Sequence, residues 1–179
     1  LAMAHFFFFF VLRFGGQAAS ALNFLVESQQ LFEGIRGSAQ MASAVLTEQA
    51  DCLTDLGRLD EAAEKYQEAI ERDEKEKRFR DVAVGTQQLA TVRLHQKRYA
   101  DALAGYQEAR SIFEKQNEPR EVAVSWHQIG RVHQEAGDYE SAEAAYRRSL
   151  EISSQNDDRA GQASSLNQLG QLYGDYLGR

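Results

Sequence analysis

AAEKYQEA at residues 62–69 recurs in related form as ALAGYQEA at residues 102–109 and as AEAAYRRS at residues 142–149. Each of the three stretches has a tyrosine at its fifth position, so the three tyrosines are equally spaced along the chain. A fixed period of about 40 residues is typical of one supersecondary unit that is copied along a chain, each copy burying its apolar face against its neighbours. The sequence therefore predicts an array of structural repeats.

Helical hairpins are indicated by the apolar residues around these tyrosines. An alanine lies at i−4 from each tyrosine and a larger apolar residue lies at i−7, so the three share one helix face. A second apolar track with i, i+4, i+7 spacing lies outside these helices, for example at Leu46, Ala50 and Leu53. Each repeat is therefore predicted to be a pair of helices.

The turns between the paired helices are predicted from their glycines. Gly57 and Gly137 each lie between two apolar tracks, and glycine suits the left-handed residue that ends many helices. Lys97 takes this position in the middle copy. Because a left-handed conformation is costly for a residue with a Cβ atom, we expect the middle turn to differ slightly.

The period alone also fits HEAT units, armadillo units and β-propeller blades. The single tryptophan and the lack of alternating Val, Ile and Thr argue against propeller strands. The residue pattern instead resembles the tetratricopeptide repeat signature, in which a large residue and Gly are followed by a small turn, Ala and an aromatic residue. The residues that carry this resemblance are Trp126, Ile129, Gly130, Gly137, Tyr139, Ala142 and Tyr146.

The resemblance covers roughly residues 40–177. The repeats of this chain are similar to the longer repeats of kinesin light chains, Partner-of-Inscuteable-type scaffolds and bacterial signalling proteins. It implies an all-α, right-handed superhelical solenoid of antiparallel helix hairpins. We expect one continuous solenoid domain with a degenerate N-terminal hairpin at 1–39, repeats at 40–79, 80–119 and 120–159, and a capping or truncated helix at 160–179.

An apolar run near the start of the chain is followed by Val11 and Leu12, and its members are Phe6, Phe7, Phe8, Phe9 and Phe10. A helix that is apolar on every side is buried on both sides or lies outside water. Arg13 and the following glycines end the run well short of the ~20 residues that span a bilayer, which argues against a transmembrane span and makes a membrane an unlikely partner. The alternatives are a terminal helix packed on the next repeat or on a partner chain, a non-native segment, and a segment for targeting or membrane contact.

Composition and motifs predict a binding protein without catalytic chemistry. The net charge is −7 and no basic stripe is interleaved with aromatic residues, so a basic peptide is a better partner than nucleic acid. The four histidines include no i, i+4 pair, and the sequence has no phosphate loop or nucleophile elbow. We therefore expect no enzyme activity, no metal and no cofactor.

Two further features have ordinary structural interpretations. The lone Cys52 lies on an apolar helix track and is predicted to be a small buried residue, which is compatible with a reducing cytosol and a cytoplasmic protein. Residues 71–80, ERDEKEKRFR, alternate in charge. This run is predicted to be a solvated helix face with i, i+4 ion pairs.

Candidate binding residues follow from the family resemblance, which implies that the first helices of the hairpins line a concave groove. Polar residues recur there with the period of the repeats, and amide and hydroxyl groups are suited to hydrogen-bond a peptide backbone. Arg131 and His127 are the predicted carboxylate contacts. The alternative is an ordinary solvated helix face. The predicted groove residues are Thr47, Asp51, Gln87, Gln88, Thr91, His127, Gln128, Arg131, Gln134, Asn167, Gln168 and Gln171.

The leading functional prediction is a non-catalytic scaffold module that binds a protein or peptide segment in this groove, within a larger signalling or assembly protein. The alternative is a self-assembly or regulatory sensor element that docks through the apolar N-terminal helix, for example as a homodimer.

Overall fold

A computed structural model describes residues 18–33, 35 and 38–177, and this part of the chain forms eight α-helices and no strands. The helices are α1 (Ala18–Glu33), α2 (Ala39–Asp55), α3 (Leu59–Lys75), α4 (Phe79–His95), α5 (Tyr99–Lys115), α6 (Pro119–Glu135), α7 (Tyr139–Gln155) and α8 (Arg159–Leu177). The predicted all-α class is confirmed. The predicted run Phe6 to Phe10 lies outside the described residues, so its role in assembly stays a prediction.

The helices from α2 to α7 are all 17 residues long, and three-residue links separate α2 to α8. One period of the sequence therefore contains two helices and two links, each helix with its link having the same length. As a result, residues that are one period apart lie at the same position on every second helix. The boundaries predicted for the repeats stay predictions.

The middle residue of each three-residue link between α2 and α8 has a left-handed backbone. Its φ is 73° at Gly57 and 83° at Gly137, and it lies between 54° and 58° at the four other positions, Lys77, Lys97, Asn117 and Asp157. At the first link the N–H of Gly57 donates to the carbonyl of Thr54 and that of Arg58 to the carbonyl of Leu53, the two bonds of a Schellman motif.

Lys97 keeps the left-handed backbone, and its φ of 58° is smaller than the 73° of Gly57 and the 83° of Gly137, which is the slight difference expected of the middle turn. A left-handed residue costs roughly 1–2 kcal/mol when it carries a Cβ atom. Hydrogen bonds that satisfy the last carbonyls of the preceding helix offset this cost, so the motif persists without glycine.

The chain divides into two compact units, residues 1–96 and residues 97–179. The first unit contains α1 to α4 and the second contains α5 to α8. Within each unit every helix packs against the next along the chain, and α6 also contacts α8 in the second unit.

The core of the first unit has two parts. Leu25 and Phe32 of α1 pack with Val45 and Cys52 of α2, so the prediction of a buried cysteine is confirmed. The second part joins α2, α3 and α4 through Ala50, Leu53, Ala62, Ala63, Tyr66 and Val92. The apolar faces predicted from the spacing are therefore the faces that pack.

In the second unit a tyrosine packs against the backbone of the neighbouring helix. Tyr146 is fully buried in a cluster with Ala142 and two leucines of α8. A Cβ atom built on Gly130 of α6 would lie 2.7 Å from two carbon atoms of the Tyr146 ring. Glycine is required there because the ring lies closer to the helix backbone than any side chain permits.

None of the described helices combines the length and the apolar character needed to cross a membrane.

Candidate binding pockets on the first helices

The predicted groove residues lie on α2 and α4 in the first unit and on α6 and α8 in the second. Ten of the twelve are half-buried, while Asn167 and Gln171 on α8 are exposed. Within each unit, the position of such a residue on its helix decides which pocket the residue lines.

A pocket of about 200 Å³ in the first unit lies where α2, the end of α3 and the start of α4 meet. We call it the acidic pocket, because three of its lining residues are carboxylates. Of the predicted groove residues it includes only Thr47. Its lining residues are Gln40, Ser43, Ala44, Thr47, Glu48, Asp73, Asp81, Val84 and Gly85.

The side chain of Arg78 binds three residues of the acidic pocket. Its Nη2 lies 2.5 Å from Oδ1 of Asp73 and donates to Oγ of Ser43 at 3.2 Å, and its Nε lies 3.6 Å from Oδ2 of Asp81. Asp73 is only 5% exposed. A buried carboxylate needs such a partner, because burial removes the water that otherwise stabilises its charge.

This pair is an exception within residues 71–80, most of which are exposed as the prediction of a solvated face requires. The pairing of Arg72 with Glu68 is of the predicted i, i+4 type. Asp73 and Arg78 instead face inward, because α3 ends at Lys75 and the left-handed residue Lys77 turns the chain back. The reversal brings Arg78 under the last turn of α3.

The other predicted groove residues of the first unit bond within the protein. Tyr66 donates a hydrogen bond from its hydroxyl to Oδ1 of Asp51. The hydroxyl of Thr91 donates to the carbonyl of Gln87 at 3.1 Å, and that of Thr47 donates to the carbonyl of Ser43 at 3.2 Å. Gln88 is half-buried on α4 and does not line the acidic pocket.

A pocket of about 220 Å³ in the second unit, which we call the serine pocket, lies where α6, α7 and α8 meet. Seven of its nine lining positions correspond, at a shift of two repeats along the sequence, to positions that line the acidic pocket. The two pockets are therefore repeats of one feature. The lining residues of the serine pocket are Ala123, Val124, His127, Gln128, Ser149, Ser153, Asp158, Gly161 and Ser164.

Hydroxyl groups in the serine pocket differ in their bonding. The Ser149 hydroxyl donates to the carbonyl of Ala123 at 2.8 Å and accepts from Ser165 at 3.0 Å. Ser153 is 1% exposed, and its Oγ has no hydrogen-bond partner among the described residues. Oδ1 of Asp158 accepts from the backbone N–H of Gly161 at 3.2 Å and so caps α8.

A second, more open cavity of about 310 Å³ in this unit brings together Arg131, Gln134 and Gln168, three of the predicted residues, with Glu135 and Tyr139. Nη1 of Arg131 donates to Oε1 of Gln128 at 3.0 Å, and its Nη2 lies 3.6 Å from Oε1 of Glu135. The Arg131 guanidinium is thus held along its own helix.

Electrostatics in the second unit follow from burial. Desolvation, with a smaller contribution from the positive charge of Arg131, lowers the pKa of His127. The imidazole packs against the Tyr146 ring at 5.3 Å between ring centres. Burial raises the pKa of Tyr146 to about 12, and its hydroxyl donates to Oε1 of Gln134 at 2.7 Å. A neutral His127 offers a hydrogen bond rather than a charge, and its role toward a carboxylate stays a prediction.

Sequence reasoning missed the residues that the second helices and the links contribute to the pockets, chiefly Asp73, Ser153 and Asp158. The resemblance implied a binding surface on the first-helix faces alone. The periodicity of the sequence could have indicated Asp73 and Ser153 as equivalent residues, since both hold the third position from the end of the second helix of a hairpin. In the described residues no group of three or more His, Cys, Asp or Glu is placed to hold a metal ion.

A sequence model of the tetratricopeptide repeat family matches residues 82–155 and again 121–179, and a related model of the same family matches residues 15–77. The chain belongs to the tetratricopeptide repeat family. A search of curated proteins found no match.

Solved structures of similar fold include helical repeat proteins from bacteria and a fungus. Aspartyl phosphate phosphatase F from Bacillus subtilis has a TM-score of 0.85 at 16% identity, over 97% of this chain and 44% of that one. A putative kinesin light chain of Podosopora anserina with TPR-like repeats has a TM-score of 0.79 at 16% identity, over 99% and 87%.

The Rap conjugation gene regulator of the plasmid pLS20, in complex with the Phr* peptide, has a TM-score of 0.77 at 19% identity, over 98% of this chain and 47% of that one. This chain thus spans less than half of the phosphatase and of the Rap regulator. The predicted resemblance and the predicted class of helical solenoid are confirmed.

Proposed function

We propose that this tetratricopeptide repeat chain is a non-catalytic scaffold module that binds a protein or peptide segment through the first helices of its hairpins, within a larger signalling or assembly protein. The observation that carries this proposal is the recurrence of one pocket type, at equivalent helix positions, in both units.

The chemistry of the pockets suits a polypeptide ligand. Both are lined by hydroxyl, amide and carboxylate groups together with small apolar side chains, for example Thr47 and Ala44 in the acidic pocket. Such groups satisfy the backbone and polar side chains of a bound segment. Their positions on packed helices reduce the entropy lost on binding, because the surface is ordered before the ligand arrives.

The solved structures support the proposal by analogy of fold. The Rap regulator of similar fold is in complex with a peptide, and that binding belongs to the Rap regulator. The placement of this chain in a larger protein is part of the proposal; the chain covers 44% and 47% of two such structures and 87% of the kinesin light chain repeats.

A selection from a random peptide display library tests this proposal, followed by affinity measurements with the whole chain. Arg131→Gln removes the cation of the predicted surface, and Arg148→Gln is its matched control. Arg148 also pairs with a glutamate along its own helix, at Glu151 of α7, but lines none of the described pockets.

We expect Arg131→Gln to weaken selected peptides about tenfold, which corresponds to about 1.4 kcal/mol, and Arg148→Gln to leave the affinity unchanged. Failure to select any specific peptide, or equal effects of Arg131→Gln and Arg148→Gln, contradicts the proposal.

A further inference from the structure

The two repeated pockets differ in the residues at their base. In the acidic pocket the base is formed by Asp73, whose carboxylate binds the guanidinium of Arg78, with Ser43 and Asp81 as further partners. The protein thus supplies its own cationic side chain to this pocket. The charges of Asp73 and Arg78 offset each other there.

In the serine pocket both members of this pair are replaced. Two repeats further along the sequence, Ser153 takes the place of Asp73 and Asp158 takes the place of Arg78. The short carboxylate of Asp158 caps α8 instead of reaching back under α7 as a guanidinium does. The substitution leaves a fully buried hydroxyl without a partner among the described residues, which costs roughly 1–3 kcal/mol if nothing else bonds to it.

Because residue 161 is a glycine, its backbone can lie close to this hydroxyl. A Cβ atom on Gly161 would lie 2.5 Å from Oγ of Ser153 and 2.8 Å from Oδ2 of Asp158. Both oxygens therefore lie beside the backbone of Gly161, and all three residues line the serine pocket. The corresponding residue of the acidic pocket is Asp81, whose carboxylate contacts Arg78.

The oxygens at this point are suited to hydrogen-bond donors that carry a positive charge. Among the described residues that line the serine pocket, Asp158 is the one carboxylate, and its charge disfavours an anion beside it. Burial lowers the pKa of His127 across the pocket, so the imidazole is neutral at pH 7 and does not repel a cation. The charged group of an arginine or a lysine meets these requirements.

We propose that the serine pocket binds a basic side chain, arginine or lysine, of the partner segment, with its cationic group beside Ser153 and Asp158 as Arg78 lies beside Asp73 in the first unit. This inference rests on the proposed peptide-binding function and adds the class of side chain that the second unit recognises.

The direct test is a titration of the isotope-labelled whole chain with N-acetyl-arginine amide, followed by amide NMR shifts. The matched probe is N-acetyl-citrulline amide, which has nearly the same shape but no charge. We expect saturable shifts at Ser153, Gly161 and Ser164 with the arginine probe at millimolar concentrations, and at least tenfold weaker binding of the citrulline probe. Equal binding of both probes, or no saturable shift with arginine, overturns the proposal.

Variants separate recognition from folding. Ser153→Ala removes the buried hydroxyl, so we expect weaker arginine binding together with unchanged or higher resistance to urea. A double variant, Ser153→Asp with Asp158→Arg, transplants the pair of the first unit and should abolish arginine binding in a folded protein. Undiminished binding by both variants overturns the proposal.

Failure of this inference is distinguishable from failure of the proposed function. If peptides from the display library lose affinity with Arg131→Gln but not with the double variant, the binding function stands and the serine pocket is not its basic-residue site. If no peptide binds specifically, the titration with the arginine probe still decides the chemistry of the pocket.

Discussion

The acidic pocket of the first unit and the serine pocket of the second occupy equivalent places on their helices, yet they differ in what stabilises them. In the first, the buried Asp73 forms an ion pair with the half-buried Arg78, whereas in the second the Ser153 hydroxyl has no partner among the described residues and Asp158 caps a helix. Helix packing therefore places the pocket, and a few side chains at the helix ends decide its chemistry.

The largest expected effect comes from breaking the pair of the first unit. Arg78→Ala leaves Asp73 buried without its cation, and such a loss costs about 3 kcal/mol of unfolding free energy. The equivalent Asp158→Ala in the second unit removes only a helix cap, at about 1 kcal/mol. Urea unfolding measures both. Equal losses contradict the difference between the pockets.

A smaller effect is expected where the tyrosines of the two units meet the first helices. Tyr66 lies in one buried cluster with Ala50, whereas the corresponding Tyr146 packs on Gly130. Gly130→Ala forces the added methyl group against the Tyr146 ring, and this overpacking exceeds the helix propensity gained, for a net loss of about 1–2 kcal/mol.

Gly170→Ala is the matched control, because no described atom beyond its chain neighbours and the adjacent backbone of its own helix lies within 4 Å of the point where its Cβ atom would be. It should gain up to ~1 kcal/mol from helix propensity alone. Thermal unfolding of both variants checks this contrast, and a stabilising Gly130→Ala rules out the close approach of the ring.

The links are expected to respond alike in the two units. Lys77 in the first unit and Asp157 in the second hold left-handed conformations with φ of 57° and 54°. Replacing either with glycine relieves the steric cost but adds entropy to the unfolded chain, so each gain should be about 0.5 kcal/mol. Gly137→Ala should lose a similar amount. Unequal gains in urea unfolding mean that the links of the two units are not equivalent.

The smallest expected effect is a dependence on pH that only the second pocket has. Burial and the charge of Arg131 lower the pKa of His127 in the folded state, whereas Thr47 holds the equivalent position in the first unit. The unfolded chain then binds the proton more readily as the pH falls below about 6.5. The contribution of neutral His127 to the unfolding free energy is complete above that pH, and it decreases as the pH falls toward the lower pKa of His127 in the folded state.

His127→Thr introduces the residue of the first unit and should remove this part of the pH dependence. Urea unfolding between pH 5 and pH 8, conditions chosen to bracket the ordinary histidine pKa, measures it. If the unfolding free energy of the variant depends on pH as strongly as that of the unchanged chain, His127 is not the source of this dependence.

Much of the fold was predictable from local residues. The spacing of the three tyrosines indicated the repeat, the apolar tracks indicated the packed faces, and Gly57 and Gly137 indicated two of the left-handed turns. Lys77 and Asp157 take the same conformation without the glycine or asparagine that signals it, because backbone hydrogen bonds of the motif outweigh side-chain preference.

Within the candidate site, only residues on the first helices of the hairpins were predicted from the sequence. Thr47, His127 and Gln128 do line the pockets, and their positions followed from helical periodicity. Asp73 and Arg78 belong to a charge run that predicts a solvated face, because alternation of charge carries no information on burial. Ser43, which also contacts Arg78, lies 35 residues away along the chain.

The sequence by itself determined the family, the helical step and the apolar faces, since these depend on residues within one or two turns of each other. The tertiary structure alone decided that Asp73 is paired and that Ser153, among the described residues, is not. Pairing of a buried polar group depends on which side chains from other helices surround it, and this is settled only when the helices pack.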